Sequence, residues 1–188
     1  MLIVLKAILV TLIADFISGF VHWLEDVYAK PGMRFVHRIA VNNELHHRKP
    51  REFLKKNWWQ SSWDLVLASA LTLGIAWWFG ALTWPVVLFA VLVANANQMH
   101  KWTHQSRREN NAVIRFLQKI RVLQTPRHHA KHHTGDKNTH YCVLTNVLNP
   151  VLERVSFWRR MERFMATIFP SRRTQAVVAA HASSDRTV

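Results

Sequence analysis

The sequence predicts an all-α integral membrane protein with about three to four membrane helices and histidine-rich helices on the cytoplasmic side. Three observations carry that expectation. Glycine and proline number only 5 and 6 in 188 residues, which favours helices over turn-rich strands. Three runs are almost wholly apolar, Leu2–Trp23, Trp63–Trp84 and Val86–Ala96, and nine tryptophans accompany the chain. Basic residues crowd after the first and third runs and are missing from the turn between the second and third. A formal net charge of +14 alone would suit a nucleic-acid binder or an anionic membrane surface. The apolar runs exclude the first. One cysteine, Cys142, leaves no intrachain disulfide framework.

Leu2–Trp23 is long enough for a bilayer core of about 30 Å, and Lys6 near its start can snorkel to the interface. It is read as a span and not as a signal peptide, because no small-residue cleavage site follows. Asp15, Gly19, His22 and Asp26 recur at helical spacing and share a face. An ionisable group this deep must face the bundle interior and have a partner. Asp15 is therefore read as a structural aspartate, with a ligand role as the alternative. Pro31-Gly32 marks a turn into a basic segment containing Glu44-Leu45-His46-His47, and the isolated His37 is read as structural. The second run ends at Trp84-Pro85, a tight turn at the membrane surface. The third continues into Asn97-Gln98-Met99-His100-Lys101-Trp102-Thr103-His104, with Asn97, His100 and His104 on one face.

Asn110–Gln124 reads as an amphipathic helix. After Pro126 comes Arg127-His128-His129-Ala130-Lys131-His132-His133, in which His128/His132 and His129/His133 each lie one helical turn apart. The apolar stretch from Thr139 to Leu152 is too broken for a span and is expected to dock on the bundle or enter the interface. Phe157–Phe169 suits a helix in the headgroup region. Residues 1–169 form the expected domain. The tail, residues 170–188, is expected to be disordered and its His181 to have no role.

The positive-inside rule puts the turn at Trp84 outside and both basic regions in the cytoplasm. That topology gathers His22, His46, His47, His100, His104 and the His128–His133 cluster on the cytoplasmic side of the membrane. Imidazole is the commonest transition-metal ligand. The histidines are too many for one four-coordinate zinc, whereas two metals with open positions use them well. Open sites with imidazole and some carboxylate suit non-haem iron and dioxygen. A membrane-embedded centre of this kind points to a long alkyl chain as substrate, in an apolar slot that Trp77, Trp78, Phe79 and Phe89 are candidates to line.

The ordered motifs resemble those of a known family. They are Ala14-Asp15-Phe16-Ile17-Ser18-Gly19-Phe20-Val21-His22-Trp23 with Asp26, Glu44-Leu45-His46-His47, Asn97 through His104, and Pro126 through His133. Tyr141-Cys142, Leu148-Asn149, Leu152-Glu153 and Phe157-Trp158-Arg159-Arg160-Met161-Glu162 follow. Together they resemble the plasmanylethanolamine desaturase family, the CarF-like or Kua lipid desaturases, which also includes plant phosphatidylglycerol acyl desaturases. The resemblance implies two non-haem iron ions, O2 as co-substrate, a phospholipid substrate, and an external electron donor of cytochrome b5-like or ferredoxin-like type. It maps metal ligands onto His22, His46, His47, His100, His104, His128, His129, His132 and His133, and Asp26 joins them. His140, where some relatives carry tyrosine, Asp15, Glu44 and Lys101 are candidates for ligands or for partners of ligands. The His100–His104 segment looks more like the branch that converts an alkyl ether to a vinyl ether (plasmalogen) lipid. An acyl-chain desaturase or a hydroxylase with the same centre is the alternative, and a transition-metal transporter is the non-enzyme rival.

Overall fold

A computed structural model describes residues 1–134 and 138–168 of the chain. The tail expected from residue 170 onward, with His181, lies outside them. The described residues are helical and contain no strand. They fall into two compact units, Met1–Asn149 and Pro150 onward.

In the first unit α1 (Leu2–Tyr28) is, among the described residues, the one helix long and apolar enough to cross a membrane by length and composition. A short helix, α2 (His37–Arg48), follows, then a 3₁₀ helix (Pro50–Lys55). Helix α3 spans Trp58–Trp78. It starts five residues before the apolar run because Asn57 and Gln60 form a reciprocal capping box, with Asn57 Oδ1 accepting from the Gln60 amide at 2.8 Å and Gln60 Oε1 accepting from the Asn57 amide at 2.9 Å. It stops six residues short of Trp84. The Gly80 amide donates to Trp77 and the Ala81 amide to Ala76, and Gly80 takes the positive φ of 65° that this helix-ending motif requires.

The third apolar run is not one straight helix. It divides at Asn95 into α4 (Trp84–Ala94) and α5 (Ala96–His104). Asn95 Nδ2 donates back to the Val91 carbonyl at 2.9 Å, and its Oδ1 accepts from Trp58 Nε1 at 3.1 Å. A mid-helix asparagine bonded in this way competes with the backbone ladder and turns the chain. Helix α3 packs on α4 and α5, and α1 packs on α4. Ser69 Oγ donates to the Ala90 carbonyl and Asn97 Nδ2 to the Ser61 carbonyl, tying these helices with polar bonds. One buried apolar cluster is Ala14, Ala96, Val143 and Leu144, with Leu65, Phe89, Leu92, Val93 and Met99 against it. Of the expected slot residues only Phe89 joins this cluster, because Trp77, Trp78 and Phe79 are exposed at the far end of α3.

The expected amphipathic helix is shorter than its pattern. Helix α6 (Ala112–Lys119) is capped by Asn111, and the chain then reverses through Arg121 at φ 63°. Helix α7 (Pro126–His133) begins with Thr125 as N-cap and Pro126 in its first turn, where a missing amide costs nothing. The stretch after Asn138 docks on the bundle, one of the two outcomes its composition left open. Tyr141, Cys142, Val143, Leu144 and Thr145 are all buried. Asp15 holds them, its carboxylate accepting from the Leu144 amide (2.8 Å), the Thr145 amide (3.2 Å) and Thr145 Oγ1 (2.6 Å). Gly19 lies against Cys142, where an added Cβ would come within 2.6 Å of Sγ. Helix α8 (Leu148–Arg154) reaches into the second unit, in which α9 (Phe157–Ile168) buries Trp158 and Glu162 and exposes Phe164.

Candidate metal centre

Two groups of ligand atoms converge in the first unit. Five histidines form one: His46 from α2, His100 and His104 from α5, and His129 and His133 from α7. The other is His22 and Asp26 from α1, His47 from α2 and His132 from α7. Within each group the ligand atoms lie within 4.8 Å of one another. Helical geometry explains the division. Residues one turn apart, His100/His104, His129/His133 and His22/Asp26, share a face. Adjacent residues diverge by about 100°, so His46 and His132 serve different groups from their neighbours His47 and His133. The groups touch, with ring centroids 5.4 Å apart for His22 and His100 and 5.8 Å for His46 and His47.

In the five-histidine group, Nε2 atoms face one another: His100 to His129 at 2.8 Å, and His104 to His100, His104 to His129 and His129 to His133 at 3.1 Å each. A neutral imidazole has one N–H and one lone pair, so these nitrogens cannot all satisfy one another. Both nitrogens of His46 are buried without a hydrogen-bond partner. Such buried, convergent lone pairs are what a cation would fill. The rings are held neutral. Burial, reinforced by neighbouring imidazoles, pushes His46 and His129 far below the ordinary histidine value and His133 down to about 2.

In the mixed group, Asp26 is the hub. His47 Nε2 lies 3.0 Å from both of its oxygens, His132 Nε2 3.3 Å from Oδ2 and His22 Nε2 3.9 Å. The Nδ1 atoms of His22 and His132 donate to the carbonyls of Tyr141 (3.1 Å) and Thr139 (2.7 Å). A carbonyl only accepts, so the proton sits on Nδ1 and Nε2 is left with its lone pair toward the centre. Asn43 Nδ2 donates to Asp26 Oδ1. Asn43 went unnoticed in the sequence, although it stands one turn before His47. The two carbonyls left no signal there, since any residue type supplies one.

The other candidates lie outside both groups. His128, expected among the ligands, faces His140 at 5.1 Å between ring centroids and approaches Asn149 Nδ2 at 3.4 Å. Burial lowers both His128 and His140 to about 4, helped by the charges of His140 and Lys131 at His128 and of Lys131 and His132 at His140. Asp15 holds the Leu144–Thr145 backbone, and Glu44 pairs with Arg48 in solvent. Lys101 turns away from the histidines to the carbonyls of Lys56 and Asn57. His37 Nδ1 accepts from the Gly32 amide, a structural bond.

The sequence of the lipid desaturase domain matches residues 11–174. The chain belongs to the lipid desaturase family. It is 31% identical to a probable fatty acid desaturase of Acanthamoeba polyphaga mimivirus, over 86% of this chain and 81% of that protein. It is 30% identical to the plasmanylethanolamine desaturase of Myxococcus xanthus, over 82% of this chain and 57% of the relative. Identity to plasmanylethanolamine desaturase 1 of Mus musculus is 29%, over 86% and 64%. The chain thus spans less than two thirds of the length of either plasmanylethanolamine desaturase. No solved structure matches it. As a lipid desaturase, the chain is an oxidoreductase with a lipid substrate, and its histidine groups are compatible with the metal site that such chemistry uses.

Proposed function

We propose that this desaturase is an O2-dependent, di-iron enzyme of the membrane, with residues 1–169 as its catalytic domain, that converts an alkyl ether phospholipid to a vinyl ether. The observation that carries the reading is the pair of adjoining ligand groups, five histidines beside three histidines and Asp26. One iron in each group leaves none of these nine side chains unused. A structural zinc closes with four ligands and would leave one of the five histidines unused. Iron bound here would supply the oxidising power to remove hydrogen from an unactivated methylene. The overall reaction is –CH2–CH2– + O2 + 2 electrons + 2 H+ → –CH=CH– + 2 H2O, with the electrons from a cytochrome b5-like or ferredoxin-like donor.

The chain's own residues do the rest. The Tyr141 and Thr139 carbonyls fix His22 and His132 in the tautomer that presents Nε2. Asn43 orients Asp26. The core around Phe89, Leu92 and Met99 supplies apolar packing beside the histidine ends of α1 and α5. Helices α1, α3 and α4–α5 span the bilayer, the loop at Thr83 faces outward, and the histidines lie on the cytoplasmic side.

An acyl-chain substrate is the second reading, favoured by the 31% identity to a relative named a probable fatty acid desaturase. Lipid mass spectrometry of a host with and without the chain separates the two. A product two mass units lighter that mild acid cleaves to an aldehyde and a lysolipid supports the vinyl ether. An acid-stable product of that mass puts the double bond elsewhere, and a gain of one oxygen means hydroxylation. Metal uptake into vesicles with no lipid product would make the chain a transporter. Elemental analysis should give close to two irons per chain, and one zinc without iron would end the di-iron reading.

A further inference from the structure

The 3₁₀ helix Pro50–Lys55 lies against the five-histidine group, and one buried ammonium ties it there. Lys101 stands between His100 and His104 in sequence, but a neighbouring position on a helix points about 100° away. Its side chain therefore leaves the histidines. It is only 4% exposed. Its ammonium donates to the Lys56 carbonyl at 2.6 Å and the Asn57 carbonyl at 3.1 Å, where the 3₁₀ helix hands over to α3. It also lies 5.3 Å from the centre of the Phe53 ring. Two carbonyls and an aromatic face are compensation that a buried charge requires. Phe53 in turn stands with its ring 5.3 Å from His46 and 5.3 Å from His100, edge-on to the first and tilted to the second. Lys101 thus touches none of the nine ligand candidates through its ammonium, yet it fixes an aromatic side chain that touches two of the five-histidine group.

We propose that Lys101 is a positioning residue that latches the 3₁₀ helix so that Phe53 closes one side of the five-histidine group to water and braces His46 and His100. The proposal rests on the reading of that group as a metal centre. A metal with an open position takes water unless an apolar wall denies it, and hydrogen abstraction from hydrocarbon needs a dry site. Lys56 and Asn57 contribute only backbone oxygens to the latch, so Lys101 and Phe53 are the side chains through which it can be broken.

Cobalt(II) titrated into metal-free, detergent-solubilised full-length chain tests this without turnover. Its visible absorption weakens as coordination number rises. Phe53→Ala and Lys101→Met should each lower cobalt affinity about tenfold, the scale of losing a partner that orients a ligand, and should weaken part of the visible band as water enters. Lys101→Arg, which keeps a cation at that place, should recover most of both. The double variant should be no worse than Phe53→Ala alone, because the lysine acts through the ring. Additive losses would overturn the latch, and so would wild-type affinity and spectrum in Phe53→Ala. That single variant decides the matter if Lys101→Met fails to insert. A wild-type chain that takes up no cobalt overturns the metal reading and the latch with it, whereas normal wild-type uptake with a silent Phe53→Ala overturns the latch alone.

Discussion

His128 and His129 are neighbours in sequence and part company in space. His129 is buried with its Nε2 among three other imidazole nitrogens, while His128 looks toward His140 and Asn149. The difference is the 100° step of a helix. It makes a direct test of which histidines matter. If each ligand group holds one iron, as proposed, His129→Ala should drop iron from two toward one per chain and cut activity by roughly 100-fold or more, beyond what loss of a ligand's partner costs. His128→Ala should keep both irons in elemental analysis. An iron loss in the His128 variant equal to that in the His129 variant would move His128 into the centre.

At the scale of elements, the joint between α1 and the segment Tyr141–Thr145 sets the mixed ligand group. Asp15 grips Leu144 and Thr145, Gly19 lets Cys142 approach, and one turn later His22 donates to Tyr141. A methyl group at Gly19 would meet Cys142 Sγ at 2.6 Å and the Cys142 amide nitrogen at 2.9 Å, and backbone cannot yield as a flexible side chain can. Gly19→Ala should therefore destabilise the chain by about 1–3 kcal/mol, the usual cost of overpacking, and weaken iron binding because the Tyr141 carbonyl moves with the segment. Gly74→Ala on α3, where a Cβ meets nothing within 4 Å, is the matched control and should melt with the wild type in a thermal-shift assay in detergent. Equal melting of all three would show that the joint is soft.

For the whole molecule, the arrangement of charge predicts sidedness. The loop from Phe79 to Thr83 carries no lysine or arginine, while the segments around His46 and after His104 are rich in both. A cysteine replacing Thr83, in a chain whose buried Cys142 is left in place, should react with an impermeant thiol reagent added outside intact cells. One replacing Asn138 should react only after lysis. The reverse pattern would put the ligand groups on the outer side and exclude a cytoplasmic electron donor.

The sequence by itself determined the helical class, the apolar first run and the pairing of histidines one turn apart. All of these follow from local periodicity, which a linear string displays. Its pattern misjudged the lengths of α3 and α6 and did not show the break of the third run at Asn95. Caps and side-chain bonds such as those of Asn57, Asn95 and Asn111 decide where a helix begins or bends within an apolar pattern. Only the tertiary structure divided the histidines into five and three with Asp26, set His128 apart, and turned Lys101 toward Phe53. Those outcomes depend on which faces of α1, α2, α5 and α7 meet, and so on residues up to 110 positions apart such as His22 and His132. Spacing along one helix fixes the direction in which a side chain points relative to its neighbours. It carries no information about what stands opposite.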